Sequence, residues 1–271
     1  MAPTEAFAID RLDSADLPGA LALSAEAGWN QSADDWRVFL EQGQVFGIRD
    51  DGRIVATAAI LPYGGFAWIS MVLVTASHRQ RGLGTFLLRH CIAELERMGC
   101  TPYLDATPAG EQIYLPLGFR PVMDITRWQG RGAELSVPAS LAELDACLMR
   151  DTIAFGARRE PLLRAFLSGV PELAIRSNNG FCAARSGRLA IQIGPLGADS
   201  EADALALLRT ALDRATGPVF LDVPDRWSML GEELKSRGFT VQRTFRRMAL
   251  NTSQCNGNPD QSFVLAGPEF G

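Results

Sequence analysis

Hydrophobic positions along the chain switch repeatedly between helical and strand spacing. Ala20 to Glu26 and Ala33 to Leu40 read as short helices flanking the turn Gly28-Trp29-Asn30, with Ser32 placed to cap the second. Val45 to Arg49 and Arg53 to Leu61 read as strands joined at Asp51-Gly52, a hairpin signal. The run Trp68-Ile69-Ser70-Met71-Val72-Leu73-Val74 is apolar except for one serine, which predicts a strand covered on both faces. After a polar loop, Leu88, Cys91, Ile92 and Leu95 repeat along one helix face, and Gly99 is placed to end that helix. Tyr103 to Ala106 follows as a short strand, and Glu111 to Leu115 as at most two helical turns cut off by Pro116. Phe119 to Trp128 is a further strand after Gly118.

The periodicity lapses around Gly130 to Pro138, which predicts a boundary between a first domain at 1–130 and a second at 136–271. Helices are expected near 140–150 and 160–168, strands near 173–177, 180–185 and 188–193, and a helix carrying Leu205, Leu208 and Leu212. The second half echoes the first. Tyr103-Leu104-Asp105, a short helix, Gly118-Phe119 and a strand are matched by Phe220-Leu221-Asp222, a short helix, Gly238-Phe239 and a strand. This order predicts a diverged tandem duplication of an α/β unit with a mixed sheet.

Composition narrows the setting. With 47% hydrophobic and 21% charged residues, the 271-residue chain is ordinary globular material, and no apolar run approaches the roughly 18 residues of a membrane span. The N-terminus is acidic from Glu5 onward and lacks a basic, apolar leader, so a cytoplasmic location is expected. Five cysteines without CxxC spacing and only two histidines predict reduced thiols and no metal site. The net charge of −5, with no basic block or aromatic-interleaved basic stripe, argues against nucleic acid as a partner.

The chemistry concentrates after the buried strand, at Arg79-Gln80-Arg81-Gly82-Leu83-Gly84, which leads into the helix from Thr85. Glycines at such a turn let successive backbone N–H groups face one concavity at a helix N-terminus, where the dipole adds positive potential: a diphosphate cradle. A dinucleotide fold would need a third glycine where Leu87 stands, and a P-loop would need Lys-Ser/Thr after the turn; neither is present.

At these residues the chain resembles the GNAT superfamily of acetyl-CoA-dependent N-acyltransferases, whose loop reads Arg/Gln-x-x-Gly-x-Gly/Ala. Arg79-x-x-Gly82-x-Gly84 matches it in full, and the resemblance spans about residues 6 to 130. Met71 to Gly84, Leu104 to Gly110 and Tyr114 to Phe119 resemble more narrowly a bacterial tandem type, in which a second GNAT-like domain follows the first. The resemblance implies pantetheine along the backbone of Val72, Leu73 and Val74. It implies diphosphate on the N–H groups of Arg79, Gln80, Arg81, Gly82, Leu83, Gly84 and Thr85, and Tyr114 as the acid that protonates the departing thiolate. The sequence departs from the family in two places: Ser70 is the sole polar residue on a strand that often carries a glutamate base, and Thr107-Pro108 replaces a common asparagine. Glu26, Asp34, Asp35, Asp105 or a water relay remain open for the base.

Other residues draw structural expectations. His78 and His90 are expected at the surface, and Trp29 and Trp36 either wall an acceptor pocket or pack in the core. Arg158, Arg159, Arg243, Arg246 and Arg247 could bind an anionic acceptor or lie in solvent. Pro195 and Asp199 occupy the turn matching the first phosphate loop, removing an N–H and adding negative charge, so a second coenzyme site is not expected. The second domain is expected to shape the acceptor site, support the first domain or mediate dimerisation. The leading function is acetyl transfer to a small-molecule amine. The alternatives are acylation of a protein amine and a non-catalytic CoA-binding sensor.

Overall fold

The computed structural model describes residues 7–271; the first six, on which the N-terminal reading partly rests, lie outside the described residues. The chain forms two compact units, one running to Leu104 and taking in Phe270, the other comprising Asp105–Glu269 and Gly271.

The first unit holds β1 (Asp10–Leu12), α1 (Leu17–Glu26), α2 (Ala33–Gln42), β2 (Gln44–Asp50), β3 (Arg53–Pro62), β4 (Phe66–Val74), α3 (Leu83–Met98) and most of β5 (Thr101–Ala106). Its strands lie in sequence order, antiparallel from β1 to β4 and parallel between β4 and β5, as a strand–helix–strand crossover requires. Asp51 and Gly52 both adopt positive φ, 46° and 76°, the geometry of a tight two-residue hairpin turn. Ser32 and Asp35 cap α2 reciprocally, with Ser32 N–H 2.7 Å from the Asp35 carboxylate. Phe270 stacks on Phe39 at 5.2 Å and accepts a hydrogen bond from the Tyr63 hydroxyl.

The second unit holds α4 (Pro108–Tyr114), β6 (Phe119–Arg131), β7 (Ser140–Leu141), α5 (Leu144–Phe155), α6 (Glu160–Gly169), β8 (Ile175–Ser177), β9 (Gly180–Arg185) and β10 (Ile191–Ala198). These are followed by α7 (Glu201–Arg214), β11 (Pro218–Pro224), α8 (Ser228–Ser236), β12 (Thr240–Leu250) and β13 (Ser262–Val264). Its sheet runs β12-β6-β11-β10-β9-β8-β7, with β13 paired to β10. Leu208, Leu212, Leu230 and Leu234 of α7 and α8 are buried in one cluster with Ile193, Leu221 and Val223 of the sheet. No helix among the described residues is long and apolar enough to cross a membrane.

The expected echo reappears as element order. The series α1, α2, β2, β3, β4, α3, β5, α4, β6 is matched by α5, α6, β8, β9, β10, α7, β11, α8, β12. A register shift interrupts the β3–β4 pairing, and another interrupts the matching β9–β10 pairing. The compact units nevertheless divide between Leu104 and Asp105, ahead of the linker at 130–138, because β6 pairs along its length with both β11 and β12.

That pairing is locally symmetric. Ile125 of β6 faces Phe245 of β12, and each lies six residues after the phenylalanine of its own Gly-Phe pair. Two buried bidentate ion pairs flank this point. Arg127 donates to both carboxylate oxygens of Asp222 at 2.7 Å, and Arg247 to both of Asp105 at 2.9 Å. Each repeat thus supplies the aspartate for the other repeat's arginine.

Candidate active site

In the first unit, β4 carries a bulge where β3 and β4 shift register: Thr57 pairs with Leu73 and Ala59 with Ser70, leaving Met71 and Val72 opposite one residue. Met71 has φ of 53°, and its carbonyl accepts the Thr57 hydroxyl at 2.9 Å. On its other side β4 pairs with β5 only from Phe66↔Thr101 to Trp68↔Tyr103. The backbone of Val72, Leu73 and Val74 therefore runs beyond the end of the β4–β5 ladder. Leu73 is buried, while Val72 and Val74 are partly exposed.

The loop after β4 is fixed at several points. Glu26 accepts hydrogen bonds from the Ala76 N–H at 2.6 Å and the Thr75 hydroxyl at 2.7 Å, and these bonds hold its carboxyl below the usual range. His78 bonds Asp50 and Ser77, and Arg79 Nε reaches the Val74 carbonyl at 3.1 Å. Gln80 and Gly82 take left-handed φ values of 61° and 79°. Gly82 is the N-cap of the 16-residue helix α3 and has no side chain to cap it, and no acid lies in the first turn. The Leu83 side chain is buried, while Gly84 and Thr85 are partly exposed. Gly82 is required by the backbone, whereas Gly84 is not. A methyl at Gly84 would stand 3.7 Å from Val74 and 3.8 Å from Val72, ordinary contacts.

The matching helix of the second unit begins differently. Ser200 caps α7 by accepting the Asp203 N–H, and Glu201 and Asp203 stand in its first turn. Its dipole is therefore already met by acids of its own. The strand opening is also filled: β10 and β11 pair in parallel only over Ile191–Ile193, and β13 then bonds β10 at Leu196 and Gly197. Leu265 N–H reaches the Asp222 carbonyl at 2.9 Å. The peptide before Pro195 is cis, and a side chain on Gly194 would collide with the Leu265 carbonyl.

Tyr114 closes α4 in the second unit, half-buried, with its ring 6.0 Å from Phe119. A side chain at Gly110 would press on the ring at 3.0 Å. Burial raises the phenol's pKa, so it stays protonated near neutrality.

Each carboxylate considered as a base has a structural partner: Glu26 at the loop, Asp34 on Arg37, Asp35 in the α2 cap and Asp105 on Arg247. Ser70 is nearly buried, and its hydroxyl has no hydrogen-bond partner among the described residues. Trp36 is core, bonding Ser24, and Trp29 is partly exposed. His90 is partly exposed and lies against Phe46 at 4.5 Å. Of the five arginines, Arg158 bonds Glu160, Arg159 bonds Asp151, Arg246 bonds Asp124 and Glu111, and Arg247 bonds Asp105. The loop anchor Glu26 and the crossed ion pairs carry no local sequence motif; only the repeat alignment hints at the latter.

Comparison with known proteins places these features in a family. A model of the "Acetyltransferase (GNAT) family" matches residues 12–119, and a model of an "Acetyltransferase (GNAT) domain" matches 148–264. The uncharacterized N-acetyltransferase YitH of Bacillus subtilis (strain 168) is 23% identical over 244 residues, covering 84% of this chain and 86% of that protein. A Pyrococcus horikoshii protein with a provisional acetyltransferase name shares the fold at TM-score 0.82 and 20% identity, over 98% of this chain and 96% of its own. A tandem GNAT protein from the clavulanic acid biosynthesis pathway aligns at TM-score 0.60 and 14% identity, over 90% of this chain and 98% of its own. With one GNAT match in each half and two repeats of the same element order, the chain belongs to the GNAT N-acetyltransferases and is of the tandem type.

Proposed function

We propose that the chain transfers an acetyl group from acetyl-CoA to a small-molecule amine, and that the coenzyme binds only in the first unit. The observation carrying this reading is the N-terminus of α3: a long helix opened by a left-handed glycine, without a cap or an acid in its first turn, following Arg79 and Arg81. Such a terminus offers unspent N–H donors and positive potential to a diphosphate. The backbone of Val72 to Val74, past the end of the β4–β5 ladder, is suited to hydrogen-bond an amide-containing pantetheine arm.

In this reading the amine attacks the thioester carbonyl, forming the new C–N bond and a tetrahedral oxyanion. A backbone N–H of the Val72 region donates to that oxyanion. Collapse breaks the C–S bond, and the leaving thiolate takes up a proton, the role that the family resemblance gives to the Tyr114 phenol. Its burial-raised pKa keeps the proton available at rest. The amine's own proton leaves through water, since the carboxylates considered as bases are engaged elsewhere.

Calorimetric titration with CoA, followed by thiol release from acetyl-CoA across an amine panel, tests the reading. One CoA per chain and amine-dependent thiol release are expected. Binding without turnover would instead mark a sensor, and a stoichiometry of two would place coenzyme in the second unit as well.

A further inference from the structure

Arg243 is the one of the five arginines that has no hydrogen bond or ion pair among the described residues. Its setting makes this unusual. On β12 it is the register partner of Arg127 on β6, so both side chains leave the same face of the sheet. The Arg127 charge is taken up by Asp222, whose second carboxylate oxygen also accepts from Gln192 at 3.0 Å. Both Asp222 oxygens are therefore engaged. Arg243 is partly buried, and burial, then the neighbouring Arg127, disfavours its charge, with only weaker relief from Asp222.

The local symmetry of β6 and β12 supplies the control. The position equivalent to Arg243 in the first repeat is Met123, the register partner of Arg247. Both sides keep the bidentate aspartate–arginine pair, yet only one carries a second arginine beside it. The fold thus closes with methionine at this position, and the extra guanidinium serves no ion pair within the unit.

We infer that Arg243 is a recognition site for the carboxylate or phosphoryl group of a small anionic ligand. A planar guanidinium with its donors unspent, beside a second guanidinium already neutralised, matches such a group in charge and in fork geometry. The inference concerns binding to the second unit and does not depend on acetyl transfer.

The test compares wild type, Arg243→Met and Arg243→Gln by thermal shift against inorganic phosphate and succinate, with sodium chloride at matched ionic strength. Any response of the α3 loop is common to all three proteins, so the difference reports Arg243. Both variants should fold, since methionine is the residue of the equivalent site, and should bind the anions about tenfold or more weakly, the loss expected for a charge-assisted hydrogen bond. Variants that respond as wild type does would overturn the assignment. A second arm assigns the source of the anion by comparing carboxylated amines with their carboxamides as acceptors. A KM raised in Arg243→Met for the carboxylated series alone identifies the acceptor's own carboxylate. Unchanged KM values with the anion response lost identify a separate effector.

Discussion

Neutralising Asp222 and neutralising Asp105 are chemically identical changes at equivalent positions, and their costs are expected to differ. Each aspartate holds a nearly buried guanidinium bidentately, with the Arg127 side chain 7% exposed and that of Arg247 9% exposed. Removing the charge of one partner strands the other in a poor dielectric, at a cost of about 3 kcal/mol or more. Asp222→Asn adds two penalties that Asp105→Asn does not. It weakens the bond from Gln192, and it leaves Arg127 facing Arg243 rather than an apolar residue such as the Met123 beside Arg247. Two unit charges on cross-strand neighbours, roughly 5–8 Å apart, repel by about 2–3 kcal/mol at an effective dielectric of about 20, and exposure of Arg243 reduces this to about 1 kcal/mol. Asp222→Asn should therefore be the less stable variant by about 1–2 kcal/mol. Urea denaturation at constant slope measures the difference. Adding Arg243→Met to Asp222→Asn should recover about 1 kcal/mol, and adding Met123→Arg to Asp105→Asn should lose a similar amount. Equal midpoints for the two single variants, or no recovery by Arg243→Met, would refute the argument.

At the phosphate loop, Gly84→Ala should leave stability unchanged or raise it by about 0.5–1 kcal/mol, whereas Gly84→Leu should weaken CoA binding about tenfold in a folded protein; calorimetry with a thermal melt separates the two effects. Tyr114→Phe should lower kcat by about 10²-fold with acetyl-CoA affinity nearly kept, and wild-type turnover would remove the phenol from the chemistry. Glu26 has a folded pKa below its ordinary 4.5, so its anchoring of Thr75 and Ala76 is fully present above that value and is lost as pH falls through the lowered one. CoA affinity of wild type and Glu26→Gln, compared from pH 7 downward, should show a loss below pH 4.5 that the variant lacks.

Much of this architecture was legible in the chain because periodicity reports packing. The one-sided stripe of α3 and the apolar run of β4 each bury a surface large enough to mark the sequence. Strands β1, β7 and β13 span two or three residues, too few to establish a period, and β13 is set by pairing with β10, a long-range contact without a local signature. The glycines at 82 and 84 were legible as a pair, but their separate reasons were not: φ of 79° at Gly82 is a backbone requirement, and the ordinary clearance that a methyl would have at Gly84 emerges only once Val72 and Val74 are in place. Arginines illustrate the limit best. Arg243, Arg246 and Arg247 are nearly adjacent in sequence, yet one has no ion pair among the described residues, one bonds both Asp124 and Glu111, and one is buried on Asp105. Strand alternation and the partner strand decide among them, and neither is written in the five-residue segment itself.

The duplication explains why one fold carries two different helix N-termini. A strand that stops pairing with its parallel neighbour leaves backbone donors and acceptors that must be satisfied by something. In the second unit the chain answers from within: β13 takes up the exposed edge of β10, and Ser200 with Asp203 answers the start of α7. These devices add stability at the expense of any ligand that would compete for the same groups. In the first unit β4 continues past its ladder with β5, and α3 begins on a glycine whose left-handed backbone leaves no place for a capping side chain. Natural sequences forgo such local stabilisation chiefly where function uses the group left open. We propose on this ground that the repeat whose β4 runs past its ladder and whose α3 begins uncapped is the one that receives a ligand, and that the repeat which has filled both places is free to diverge toward other roles.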